Sequence, residues 1–146
     1  MTDSQFPLLF MQIHGTCLGF EALAVVASQN SSILSKYDAE DYAQPLYPTE
    51  HAENSRFFSS LPPRVVHNLY EKPYAMQNHM NGIGFDAFSE NPMLDEFFQV
   101  LTLSIDREKN VYVSTMEAKE YPFSATQWCV ILSSFTIHCM VSNSFS

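Results

Sequence analysis

Basic residues are scarce in this chain. Seven lysines and arginines stand against 16 aspartates and glutamates in 146 residues, a formal charge of −9. A phosphate backbone is bound through a basic face, so nucleic acid is excluded as a partner. The acidic residues are scattered, as on a solvated surface. Cysteine is also rare: Cys17, Cys129 and Cys139 do not make a disulfide framework. No run reaches the roughly 20 apolar residues of a membrane span, which excludes a spanning helix. The N-terminus, MTDSQFPLLF, lacks a basic n-region and a small-residue cleavage site. It reads as an abrupt entry into an internal strand of a larger fold rather than as a signal peptide. Repeats, low-complexity tracts and linkers are missing too, and one domain is expected. Apolar residues are plentiful, at 46% with 14% aromatic, which excludes a disordered chain.

The stretch from Phe6 to Asn30 organises the rest. Phe6 to Ile13 is nearly all apolar, as in a strand covered on both faces. Gly15-Thr16-Cys17-Leu18-Gly19 then has the Gly-x-nucleophile-x-Gly form of a nucleophile elbow, with Cys in place of Ser. The turn is too tight for side chains on either flank, and glycine tolerates φ above zero. Phe20-Glu21-Ala22-Leu23-Ala24-Val25-Val26 continues as a helix. A thiol at the apex would sit at a helix N-terminus, where the dipole and free N–H groups favour thiolate and supply oxyanion donors. The competing reading is a small buried hydrophobe, the commonest fate of cysteine.

Beyond a polar stop at residues 28–32, residues 33–46 fit no clean period and read as loop with short strand pieces. Asn54 or Ser55 can cap a short helical piece. Pro62 and Pro63 open a helix from Arg64 to Tyr70. Tyr74 to His79 reads as a strand leading into the glycine turn Asn81-Gly82-Ile83-Gly84, which puts His79 either at a pocket rim or in a surface loop. Short helical turns follow, from Phe85 to Gln99. Val100–Ile105 and Val111–Thr115 read as a hairpin around residues 106–110, and Phe123 to Trp128 as a last strand. The order suggests a partial three-layer (flavodoxin-like) α/β sheet, with the nucleophile at the carboxyl end of a parallel strand.

Gly15-Thr16-Cys17-Leu18-Gly19-Phe20-Glu21 resembles the nucleophile elbow of the γ-glutamyl hydrolases, cysteine peptidases of the class I glutamine-amidotransferase-like superfamily. Met76-Gln77-Asn78-His79, the stretch from Asn91-Pro92 to Phe98, Val111 to Thr115, and Tyr121-Pro122 to Gln127-Trp128 follow in the family's order and with similar spacing. The likeness is to the plant-type members and covers residues 6–128. It implies cleavage of γ-linked glutamates from folylpolyglutamates through a thioester on Cys17. Leu18 would supply a backbone oxyanion donor, Glu21 an orienting carboxylate, and His79 substrate positioning or support. It implies no cofactor, no metal and no membrane partner, a homodimer, and a vacuolar, lysosomal or extracellular site.

Two departures accompany the likeness. The family motif continues Gln-Trp-His-Pro-Glu, and its histidine is the general base. Here Gln127-Trp128 runs into Cys129-Val130-Ile131, so Cys129 holds the base's position and residues 129–146 form a divergent tail. A thiol cannot replace the imidazole of a cysteine–imidazole pair. His138, nine positions further on, is a poor substitute. The family fold also begins before this chain does, with its first strands and a second oxyanion donor. A catalytically inactive remnant is therefore one expectation, and an amide hydrolase of different substrate within the superfamily is another.

Overall fold

The computed structural model describes residues 12–130. Most of the expected strand Phe6–Ile13 lies outside the described residues, as do His138 and Cys139. In chain order the elements are β1 (Ile13–Thr16), α1 (Leu18–Ser28), β2 (Ser35–Gln44), β3 (Tyr47–Pro48), α2 (Arg56–Ser59), α3 (Pro63–Glu71), β4 (Ala75–Gly82), α4 (Phe85–Glu90), α5 (Pro92–Phe97), β5 (Phe98–Ile105), β6 (Val111–Ala118), β7 (Phe123–Thr126) and β8 (Cys129–Val130).

A five-stranded sheet in the order β1-β7-β6-β5-β3 forms the frame, with a three-stranded sheet, β2-β4-β8, beside it. Among the described residues only β1 and β7 pair in parallel, with Ile13 opposite Phe123 and Thr16 opposite Thr126. The other pairings are antiparallel. The fold is mixed α/β, and the expected parallel character is confined to the pair that carries the elbow. The cause lies in the connections. A parallel pair needs a long crossover, whereas β5 and β6 are joined by five residues and must run antiparallel.

Helices cover both faces. Phe20 and Ala24 of α1, Phe88 of α4 and Leu94 of α5 meet Phe98, Val100, Met116 and Ala125 in one core. Phe58 of α2 and Leu69 of α3 meet Leu101, Ala75 and Trp128 in the other. Strand β6 runs between them and is buried from Tyr112 to Ala118, which suits its β-branched and aromatic residues.

Residues 35–44 correct the sequence reading. They form a full ten-residue strand rather than loop with strand pieces. Its acidic residues Asp38, Glu40 and Asp41 are exposed, and register shifts at Ala39 blur the alternation that a period of two would show. The short elements follow expectation. Ser55 accepts the Phe58 N–H at 3.1 Å to cap α2 and Pro63 opens α3; Asn91 also caps α5, a cap the sequence reading did not name. In the β5–β6 loop the Asp106 carboxylate is fully buried and accepts N–H bonds from Asn110 at 2.8 Å and Asp38 at 3.1 Å. Burial pushes its pKa up, but these bonds outweigh burial and hold it below the ordinary carboxylate value.

Candidate active site

Strand β1 delivers the chain to Cys17, and α1 leaves from Leu18. Cys17 has φ 53° and ψ −106°, a conformation that L-residues rarely adopt. Two backbone bonds hold it. Its N–H donates to the Thr126 carbonyl at 2.8 Å, and its own carbonyl accepts the Glu21 N–H at 3.1 Å as the first helical bond of α1. The strain therefore falls on the cysteine. No described glycine has a positive φ, contrary to the reading that the flanking glycines supply it. Gly15 serves close approach instead. A Cβ there would lie 2.6 Å from the Gly19 carbonyl oxygen and 2.8 Å from Leu23 Cδ1. A Cβ on Gly19 would meet nothing within 4 Å, so only one of the two flanks is tight.

Cys17 is a free thiol and 8% exposed. Its Sγ lies 3.9 Å from the Asn78 carbonyl on β4, a weak S–H···O contact. The expected thiolate preference is reversed. Burial raises the thiol's pKa and the Glu21 carboxylate raises it further, while the Leu18 N–H facing the sulfur lowers it less than these two raise it. A helix N-terminus alone does not offset desolvation next to a carboxylate.

Glu21, one turn into α1, is buried with its carboxylate turned to other elements. The Gln127 side-chain amide donates to its Oε1 at 3.2 Å. Burial raises its pKa, and bonds from Gln127 and Asn81, with the charge of Lys36, counter that in part. Lys36 Nζ in turn donates to Asn81 Oδ1 at 2.8 Å. Sequence reading placed Gln127 in a motif without assigning it contacts, and Asn81 only in a turn; it missed Lys36. No local spacing links residues 21, 36, 81 and 127. The fold alone joins α1, β2, β4 and the segment after β7. Trp128 anchors that segment, its Nε1–H donating to Thr115 at 2.8 Å.

His79 is 5% exposed and sits edge-on to Tyr112, so it is neither at a rim nor in a surface loop. Its Nδ1 lies 2.7 Å from the Asn81 carbonyl and its Nε2 3.1 Å from the atom placed as Gln77 Oε1. A carbonyl only accepts, so Nδ1 carries the proton. Nε2 of the neutral ring is then an acceptor, and the Gln77 amide must present its NH₂ there. Burial lowers the ring's pKa to about 4. The contact that β4 makes with Cys17 comes from its neighbour Asn78, through the backbone. Neutral burial has a measurable consequence. Below pH 6.5 the unfolded chain takes up the His79 proton before the folded chain does. Stability from this group is thus complete above pH 6.5 and is lost as pH falls through 4, about 3 kcal/mol in all. Glu21, with a raised pKa, acts in the opposite sense. The readout is therefore the difference between the wild-type chain and His79→Gln in urea midpoints from pH 7 to 4. The variant should lose less stability on acidification.

At the position expected of a general base, Cys129 pairs with Met76 of β4, two residues from Asn78. Cys129 is disulfide-bonded and so offers no thiol base there. Among the described residues no group of three or more His, Cys, Asp or Glu side chains could hold a metal ion, and no helix is long and apolar enough to cross a membrane.

No protein-family model matches the chain. Individual proteins do. Gamma-glutamyl hydrolase 1 of Arabidopsis thaliana is 40% identical over 117 residues, covering 80% of this chain and 34% of that protein. Gamma-glutamyl hydrolase B of Dictyostelium discoideum is 32% identical over 119 residues, covering 82% and 34%. The human gamma-glutamyl hydrolase is 34% identical over 119 residues, covering 82% and 37%. The chain thus spans about a third of the length of the curated relatives it matches. In a solved structure from Thermoplasma acidophilum, described as that of a GMP synthase component, the match covers 82% of this chain and 47% of the other, at 17% identity and a TM-score of 0.47.

Proposed function

The curated homologues of this chain are γ-glutamyl hydrolases, and from that premise we propose that Cys17 is the nucleophile of a γ-glutamyl amide hydrolase site. The observation that carries the reading is the Cys17 backbone at φ 53°, ψ −106°, which presents a side chain at the apex of a strand–helix turn. In the proposed reaction the Cys17 sulfur attacks the γ-amide carbonyl of a γ-linked polyglutamate. The Leu18 N–H stabilises the oxyanion, and the C–N bond breaks to release glutamate or a shorter chain as the amine. Water then cleaves the thioester. Folylpolyglutamate is the proposed substrate. No metal or cofactor takes part. The homodimer and the vacuolar, lysosomal or extracellular location implied by the resemblance are carried forward as parts of the same proposal.

The described site supplies nucleophile and donor but no cation beside the sulfur. Cys17 is therefore a protonated thiol at neutral pH, and turnover should be slow. Incubation with a γ-glutamyl chloromethyl ketone, followed by peptide mapping, tests the nucleophile directly. Label should fall on Cys17 and disappear in Cys17→Ser. Label spread over other side chains, or retained in that variant, would overturn the assignment.

The pH dependence of labelling has a defined sign. Because burial and Glu21 both raise the thiol's pKa, the rate should still be rising where an ordinary thiol has levelled off. Glu21→Gln removes the charge while its amide can still meet Gln127. The midpoint of the labelling profile should move to lower pH, and labelling at pH 7 should increase. An unchanged midpoint would show that Glu21 exerts no field at the sulfur.

A further inference from the structure

We propose that Asn30 is an acceptor for an N-linked glycan. Asn30-Ser31-Ser32 is the one Asn-x-Ser/Thr sequence with x other than Pro in the chain. It falls at the end of α1, where Gln29 takes a left-handed conformation at φ 53° and its N–H donates to the Val26 carbonyl. Residues 29–32 are all exposed. Asn30 is held by its backbone and by one side-chain atom: its N–H donates to Ser28 Oγ at 3.2 Å, and its Oδ1 accepts the Ser32 N–H at 2.9 Å. This closes the asparagine side chain onto the residue two positions on, whose hydroxyl the acceptor sequence requires. The oxygen of the amide is engaged, and the Nδ2 amino group of this exposed residue is the reacting atom.

The co-reactant is a lipid-diphosphate-linked oligosaccharide in the lumen of the secretory pathway. Asn30 Nδ2 forms a bond to the sugar's C1, the C1–oxygen bond to the diphosphate breaks, the lipid diphosphate leaves with that electron pair, and the amide gives up one proton. Two features of the site suit such a group. Helix α1 is about 16 Å long, so the glycan would stand at the end away from Cys17. It would also lie beside Val26, one turn earlier and 75% exposed, on a helix face that otherwise presents apolar surface to water.

The full chain, directed into the yeast secretory lumen behind a cleavable leader, tests this. Whole-cell lysate and medium are both probed, so that retention does not hide the product. One mobility step removed by peptide N-glycosidase is expected, with Asn30 converted to Asp in the mapped peptide. The step should vanish in Asn30→Gln and in Ser32→Ala and persist in Ser31→Ala, which controls for folding of the turn. A lumenal chain without the step, or a step that survives Asn30→Gln, would overturn the proposal. The result does not depend on Cys17 or on any hydrolase activity.

Discussion

Replacing Gly15 with alanine should cost about 3 kcal/mol or more, a large fraction of the roughly 5–15 kcal/mol that holds an ordinary domain folded. The added Cβ would stand 2.6 Å from the Gly19 carbonyl oxygen and 2.7 Å from its carbon. Both belong to backbone, and the backbone there is fixed by the Cys17 bond to Thr126 and the first turn of α1. Leu23 Cδ1, the third contact, can move aside, but the two backbone atoms cannot, so strand and helix must separate and open the core around Phe20 and Ala24. Gly19→Ala should behave oppositely. Its Cβ would enter open space in the first turn of a helix, where alanine is favoured over glycine by at most the roughly 0.8–1 kcal/mol of a helix interior. Thermal melting of the two variants checks both statements. Equal losses at the two positions would show that the turn is held in some way other than by the approach of Gly15 to Gly19.

The second large effect is a gain. Changing Cys129-Val130-Ile131 to His-Pro-Glu restores the sequence that the resemblance associates with a general base. Position 129 lies on β8, paired with β4 close to the carbonyl that faces Cys17 Sγ. An imidazole there could draw the proton from a thiol that burial and Glu21 now hold protonated. A positioned base contributes about 10²–10⁴ in rate, and hydrolysis of a folylpoly-γ-glutamate should rise by that order, dependent on Cys17. The substitution also removes Cys129 from its disulfide, so folding of the variant is confirmed by its melting transition. A folded variant with no gain would show that the imidazole is not the missing component.

The elbow was legible because its determinants are local. A strand, a glycine, a nucleophile and a helix-forming run are consecutive in the chain, and the backbone at Cys17 follows from that order. The hairpin, the proline-initiated helix and the Ser55 cap were legible for the same reason. Strand β2 was obscured because bulges break its alternation. His79 was misread because a glycine turn in sequence suggests a rim, while the fold buries that end of β4 against Tyr112.

The sequence by itself determined where a nucleophile could stand: at residue 17, at the head of α1, with Gly15 beneath it. Only the tertiary structure decided what state the thiol is in. Proton affinity depends on the field and the solvent around the sulfur. That environment is assembled from Glu21 and Leu18 on α1 and the Asn78 carbonyl, with Asn81, Lys36 and Gln127 setting the charge state of Glu21. These residues lie up to about a hundred positions apart, and no period or motif along the chain encodes the distances between them.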